Sequence, residues 1–358
     1  MLNKNKDLFE KKLSLDAQCN NCFDATKKHI CSYCSECFDK KTYMNFKNEN
    51  VNYAFEAKKY WQMIYDENAI YLDRNFSTEL PEAFYSRVWE LTILKYLRSY
   101  NSKGIKLIVK AGKESKTDFC FKIDGNFFYV ENICVNPSKK PLYKIKNTNG
   151  INFKINVSNN LSDRNAFYKE SLSSAIKLKG ITKFNSGYKK HISQNGLGGL
   201  ILCISMAKFF LSERPVDCTM AALSCIFPVS EILHVSIIPD KNNRLSMQEP
   251  HYIYQSCFTK SSNAAIIKTD YFFNEQFNYI SSILISDSDC TFFPDIENYE
   301  LCHWNGRTEE ARNDFLLIHN PFTKFPLPKG FFSVQEEVEP KIDGNHCKIL
   351  KRSFKDKY

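Results

Sequence analysis

The sequence predicts an α/β protein in which a sheet is covered by helices on both faces. Helical patterns at 77–101 and 162–191 alternate with short apolar runs that are typical of buried strands. Apolar residues make up 43% of the 358 residues and aromatic residues 14%, which is enough to build a sizeable core. We therefore expect a folded protein rather than a largely disordered chain.

A cluster of cysteines near the N-terminus differs from this pattern. Five cysteines lie within 19 residues, whereas the other nine are scattered from Cys120 to Cys347. Each Cys-x2-Cys gap lets two thiolates reach one ion, so we expect structural zinc bound by Cys19, Cys22, Cys31 and Cys34. Cys37 and His29 are alternative fourth ligands. Free thiols, or disulfides in an exported protein, are the alternative to zinc.

The contrast in cysteine spacing suggests a division of the chain. We expect residues 1–45 to form a zinc-binding module, 46–76 a helical connector with a helix around Tyr60 to Tyr71, and 77–358 one α/β domain. The start of the chain has no apolar signal-peptide stretch, and the most apolar segment is ten residues long. A membrane span needs roughly 20 residues. We therefore expect no membrane association and a reducing compartment such as the cytoplasm.

Each element of the α/β domain has its own signal. A helix is predicted from Ser77, with Thr78 as its cap and Pro81 in its first turn. The helical region from Ser162 to about His191 is expected to form two helices, because it contains Gly180 and Gly187. Strands are predicted at 106–110, 118–123, 127–135, 199–207, 220–228, 279–286 and 315–319.

The hairpin around Asp124-Gly125 carries the most informative pattern. This dipeptide favours a two-residue turn, across which Ile123 pairs with Asn126. Residues paired farther out along the hairpin then also have numbers that sum to 249. Asp118 then faces Glu131, with Cβ atoms about 4.5–5.5 Å apart. Because like charges at that distance destabilise a sheet, one carboxylate should resist ionisation unless a cation is shared. Mg²⁺ suits such a site, since it prefers carboxylate oxygens and water.

A third acid, Glu90, lies on the apolar face of the preceding helix and needs a partner there. The alternative to a metal site is that each acid has a structural role. Asp118 would cap a strand, Glu131 would pair with a lysine, and Glu90 would pair with Arg87 one turn back. Spacing alone does not decide between the two.

The order of these residues resembles the PD-(D/E)xK, or restriction-endonuclease-like, nuclease superfamily. That pattern is a helix bearing a Glu, a strand starting with an Asp, and a following strand bearing a second acid. The chain is particularly similar to a group of mostly uncharacterised bacterial members, over roughly residues 80 to 333. The shared motifs are Arg87-x-Trp89-Glu90, Val130-Glu131 before Asn136-Pro137, a lysine helix at Leu172 to Lys179, His319-Asn320-Pro321 and Pro326-Leu327-Pro328.

The resemblance implies a restriction-endonuclease-like mixed central sheet flanked by helices. It also implies phosphodiester hydrolysis dependent on Mg²⁺ or Mn²⁺, with Asp118 and Glu131 holding the ion and Glu90 positioning a second ion or the water. The expected partner is nucleic acid, DNA in preference to RNA. The net charge of +9 agrees with that partner but is a mild excess. A homodimer is compatible with these expectations.

One position departs from the superfamily pattern. The catalytic lysine belongs two residues after the second acid, where this sequence has Ile133. The following helix offers Lys179 as a replacement, with Lys169 as a second choice. The alternative function is an inactive module of the same fold that binds nucleic acid or protein.

Overall fold

A computed structural model describes residues 7–9, 35–48, 54–108, 117–136, 143–148, 151–156, 161–190, 192, 198–208, 218–234, 237–239, 245–247, 251–255, 257–259, 266–287, 315–343 and 346–353. The chain divides into two compact units. Unit 1 comprises Met1–Pro141, Phe184–Phe209 and Ile285–Asp314. Unit 2 comprises Leu142–Lys183, Phe210–Leu284 and Phe315–Tyr358.

Helices and strands alternate along the chain, and the predicted mixed α/β class is confirmed. The helices are α1 Ser35–Lys47, α2 Ala54–Asn68, α3 Phe76–Glu79, α4 Phe84–Ser99, α5 Leu161–Ile176 and α6 Cys218–Ile226. The strands are β1 Lys106–Leu107, β2 Phe119–Ile123, β3 Asn126–Cys134, β4 Tyr143–Thr148, β5 Ile151–Asn156, β6 Gly198–Ser205, β7 Val229–His234, β8 Ile237–Pro239, β9 Leu245–Met247, β10 His251–Tyr254, β11 Cys257–Thr259, β12 Ile266–Lys268, β13 Ile280–Ser286, β14 Phe315–His319, β15 Glu336–Asp343 and β16 His346–Ser353. Within the described ranges, no helix is long and apolar enough to cross a membrane.

The strands of unit 1 follow the order β1-β2-β3-β6. The β2–β3 hairpin is antiparallel, and its pairs from Phe119↔Val130 to Ile123↔Asn126 confirm the predicted register. Asp124 and Gly125 have φ angles of 48° and 85°, the left-handed values that a two-residue hairpin turn requires. β6 then runs parallel to β3, so the sheet of this unit is mixed.

The helices of unit 1 partly match the prediction. α4 packs against β3. The helix predicted from Ser77 begins only at Phe84, because α3 ends at Glu79 and Pro81 lies between the two helices. Proline has no N–H to extend a helix. The Thr78 hydroxyl donates to the Asn75 carbonyl, so Thr78 is not the cap. The helix expected around Tyr60 to Tyr71 is confirmed by α2 and the 3-10 turn that follows it.

Unit 2 has strands in the order β13-β14-β15-β16-β10-β7, again with parallel and antiparallel pairs. The strand predicted at 220–228 is wrong, because that segment forms the buried helix α6. A short apolar run without periodicity fits either structure, and Met220, Ala221, Ala222 and Leu223 favour a helix. α5 continues as a π-helix over Lys177–Tyr188 without the expected break at Gly180, whose carbonyl accepts a hydrogen bond from the Tyr279 hydroxyl.

Candidate functional site

The hairpin places Asp118 directly before β2 and Glu131 within β3. The Asp118 N–H donates to the Val130 carbonyl at 2.9 Å, which extends the hairpin ladder by one step. The Asp118 side chain reaches across the ladder, where its Oδ2 accepts from the Asn132 N–H at 2.6 Å. The carboxylate of Asp118 therefore lies beside the backbone that follows Glu131.

Glu131 is buried, with 2% of its surface exposed, in a strand whose other residues are mostly apolar. Its partner in the parallel strand β6 is Leu202. Tyr188, also buried, forms a hydrogen bond with the Glu131 carboxylate. The pKa of Tyr188 is raised first by burial, then by the charge of Glu131 and this hydrogen bond, and further by the charge of Asp118. The charges of Asp118 and Glu131 thus both raise the pKa of the Tyr188 hydroxyl group.

Glu90 occupies the first half of α4 with its side chain 13% exposed. Arg87 Nη1 lies 2.9 Å from Glu90 Oε2, which confirms the structural pairing considered from the sequence. The same nitrogen lies 2.7 Å from Asp73 Oδ2, and Arg87 Nη2 contacts Glu79. One guanidinium therefore joins three carboxylates.

Glu90 interacts electrostatically with Asp118 of the hairpin. Burial raises the pKa of Glu90 to about 8, and the charge of Asp118 is the next largest cause. Arg87 lowers this pKa but does not reverse the shift. The position of α4 is fixed by Trp89, whose indole N–H donates to the Cys203 carbonyl at 2.9 Å. Since Cys203 pairs with Asn132, the helix lies beside the part of β3 that bears Glu131.

The three acids offer carboxylate oxygens in a buried region, and that donor chemistry fits Mg²⁺ or Mn²⁺. The raised pKa of Glu90 beside Asp118 is the conflict that a bound cation would relieve. Across the part of the chain that the structure describes, no three His, Cys, Asp or Glu side chains already form a metal-ligand cluster. The hydrogen bonds of Asp118 and Glu90 would therefore rearrange around an ion.

The lysine candidates lie elsewhere in the chain. Ile133 is buried at the position of the superfamily lysine. Lys179 lies on the π-helical segment and Lys169 on α5, where its Nζ is 4.5 Å from the ring centroid of Phe258. Both lysines belong to unit 2, whereas Glu90, Asp118 and Glu131 belong to unit 1. A lysine beside the acids thus stays a prediction.

The zinc site is predicted on the N-terminal cysteines. Cys19, Cys22, Cys31 and Cys34 fall outside the described residues, as does the alternative ligand His29. Cys37 lies on α1. The zinc site therefore stays a prediction too.

A buried ion pair was not found from the sequence. Lys208, the third residue after β6, places its Nζ 2.5 Å from Asp39 Oδ2 and 2.8 Å from Asn136 Oδ1. The Tyr85 N–H donates to Asp39 Oδ1 at 2.9 Å. Burial raises the pKa of Asp39, and Lys208 partly opposes that shift. These bonds join α1 to α4 and to the ends of β3 and β6.

Comparison with known proteins found no family model, no curated protein and no solved structure that matches this chain. The assignment of a function therefore depends on the residues themselves. Three features carry it: the order of the acids along the chain, the hairpin register that aligns Asp118 with Glu131, and the electrostatic interaction between Asp118 and Glu90.

Proposed function

We propose that this chain is a metal-dependent nuclease that hydrolyses phosphodiester bonds in nucleic acid, on a restriction-endonuclease-like fold. The observation that carries the proposal is the grouping of Glu90, Asp118 and Glu131 within unit 1. Glu90 comes from a helix, Asp118 precedes a strand, and Glu131 lies on the strand paired with it. That order follows the superfamily motif, and the charge of Asp118 raises the pKa of Glu90. An acid whose pKa is perturbed by a neighbouring acid is a candidate for a functional site.

In the proposed mechanism, Asp118 and Glu131 hold Mg²⁺ or Mn²⁺. A bound ion would supply Lewis-acid chemistry, which lowers the pKa of a water molecule and neutralises charge at a phosphate. Glu90, whose pKa is raised to about 8 without an ion, would lose its proton as the cation binds, and the ionised carboxylate would then position the attacking water. Arg87 orients Glu90, and the Tyr188 hydroxyl fixes the Glu131 carboxylate.

The proposal includes a structural zinc ion bound by Cys19, Cys22, Cys31 and Cys34. Four thiolates leave no open position for water, so this ion would stabilise the fold rather than take part in catalysis. Reduced cysteines fit a cytoplasmic protein. As the substrate, we propose DNA in preference to RNA. A homodimer would be compatible with it.

The second candidate is an inactive module of the same fold that binds nucleic acid or protein. Ile133 favours it, because this buried apolar residue replaces the lysine that would stabilise charge on the phosphate. The two candidates differ in one respect. Lys179→Met should reduce cleavage if Lys179 replaces the missing lysine, whereas a binding module would not cleave at all.

The deciding experiment is a cleavage assay with the full-length protein on mixed DNA and RNA, with Mg²⁺ or Mn²⁺ and with EDTA. We expect cleavage that EDTA abolishes. Glu131→Gln and Asp118→Asn should abolish it too, while each variant remains folded by circular dichroism. Glu67→Gln, at an exposed position on α2, is the matched control and should cleave like the wild type. Full activity of Glu131→Gln would refute the nuclease proposal.

A further inference from the structure

The segment between β14 and β15 exposes an aromatic ring. Phe322 is 49% exposed, although phenylalanine is mostly a core residue. On one side its ring is backed by Phe273, at 5.1 Å between centroids, and Phe273 in turn contacts the buried Phe227 at 4.9 Å. The rest of the Phe322 ring is thus open to a ligand, while the aromatic row behind it holds it in place.

The backbone around Phe322 is firmly anchored. The Asn320 side-chain amide donates to the carbonyls of Phe277 at 3.1 Å and Ile280 at 2.9 Å, and its oxygen accepts from the Phe322 N–H at 3.0 Å. Two residues later, the Lys324 N–H donates to the Asn278 carbonyl at 2.8 Å. An exposed ring on a fixed loop loses little conformational entropy when a ligand binds.

The charged side chains of this loop are two lysines, and Glu337 and Glu339 of β15 bind its far end, at Gly330 and Lys329. From Asn320 to Gln335 the sequence has no Asp or Glu, and its two charged residues are Lys324 and Lys329. Both lysines are exposed, and Lys329 Nζ lies 2.6 Å from Glu339 Oε2. Lys324 comes two residues after the exposed ring, so an anionic group bound there would lie close to a ligand on Phe322.

We propose that Phe322 and Lys324 form a contact surface for single-stranded nucleic acid. One unpaired base stacks on the Phe322 ring, and a neighbouring phosphate is bound by the Lys324 ammonium. A duplex fits less well, because its bases are already stacked and offer no free face. The inference rests on the proposed function for the identity of the partner, and it specifies the strandedness of the substrate.

Binding of a labelled single-stranded oligothymidine to the full-length protein, measured by fluorescence anisotropy in EDTA, tests this surface. Phe322→Leu should weaken binding at least about fivefold, and Phe322→Trp should preserve it. Lys324→Gln should lower the slope of log affinity against log salt by about 0.7. Phe55→Leu is the matched control, because Phe55 is 48% exposed on α2, and it should bind like the wild type.

The outcomes separate this inference from the nuclease proposal. Unchanged binding by Phe322→Leu, in a protein that does cleave, overturns the surface alone. Oligothymidine binding that depends on Phe322, in a protein that never cleaves, supports the surface and refutes the nuclease. Equal loss of duplex and single-strand binding in Phe322→Leu also overturns the inference. So does Phe322-dependent binding to anionic vesicles or to an acidic peptide without any binding to the oligonucleotide.

Discussion

Arg87 Nη1 lies 2.9 Å from Glu90 Oε2, and the two side chains are mostly buried, with 12% and 13% of their surfaces exposed. The positive charge of Arg87 favours ionised Glu90, whereas burial and the charge of Asp118 oppose it. Burial and the charge of Asp118 outweigh Arg87, because the pKa of Glu90 is raised from 4.5 to about 8. Glu90 is therefore mostly protonated at neutral pH in the metal-free protein.

This raised pKa predicts a dependence of stability on pH. Folded Glu90 keeps its proton up to about pH 8, whereas unfolded Glu90 loses it near its ordinary value of 4.5. The folded state therefore binds more protons in this window, and the free energy of unfolding should fall by a few kcal/mol as the pH rises from about 5 to about 8. Urea unfolding at several pH values in EDTA measures this.

Glu90→Gln is the control for that prediction, because it removes the titrating group and keeps its shape. The variant should lose the pH dependence in this range and should be more stable than the wild type at pH 8.5. Mg²⁺ should stabilise the wild type more at pH 8.5 than at pH 6.5, because binding requires an ionised carboxylate. Identical pH profiles for the variant and the wild type would contradict the assignment to Glu90.

The bond from the Asn132 N–H to Asp118 Oδ2 gives Asp118 a structural role beside its proposed metal role. Asp118→Ala should destabilise the protein by about 1–3 kcal/mol, because it leaves a partly buried N–H without its acceptor. Asp118→Asn keeps an acceptor oxygen and should cost less. It should also lower the pKa of Glu90, since it removes the charge of Asp118. Urea unfolding at several pH values would detect both effects. A pH profile of Asp118→Asn identical to the wild type would argue against this coupling.

The local part of the site could be predicted from the sequence. A two-residue loop at Asp124-Gly125 allows only one register of the hairpin, and in that register Asp118 lies opposite Glu131. The pairing of Glu90 with Arg87 was considered for a similar reason, because residues three apart on a helix are neighbours. Both relationships depend on short stretches of chain whose geometry is fixed.

Relationships across long stretches of chain could not be predicted. Tyr188 reaches Glu131 only because the π-helical segment ends beside β3, and neither residue has a sequence pattern that indicates this. Asp39 and Lys208 are 169 residues apart. The residues of α6 predict a strand as readily as a helix, because a continuous apolar run lacks the periodicity that distinguishes the two structures.

The cysteine spacing predicts about one zinc ion per chain in the purified protein. Elemental analysis should find it, and Cys22→Ser should lose it together with stability, because binding to thiolates contributes to folding free energy. Cys257→Ser is the matched control, since this exposed cysteine lies on β11 and should have no effect on the zinc content. A folded, metal-free sample prepared without chelators would exclude the zinc module.

The buried pair of Asp39 and Lys208 predicts an asymmetric cost of substitution. Lys208→Met should destabilise the protein by about 3–5 kcal/mol at pH 8, because it leaves the Asp39 carboxylate buried without a cation. Adding Asp39→Asn should recover part of this loss. The loss should also shrink at pH 5, because burial raises the pKa of Asp39 and a protonated acid needs no counter-ion.

Lys329→Met is the comparison for this pair in the same urea unfolding experiment. Lys329 also forms an ion pair, with Glu339, but 47% of its side chain is exposed. Solvent screens such a pair, so its loss should cost less than about 1 kcal/mol at either pH. Equal costs for Lys208→Met and Lys329→Met would mean that the carboxylate of Asp39 reaches water in solution. The bonds joining α1 to the end of β6 would then contribute little to folding.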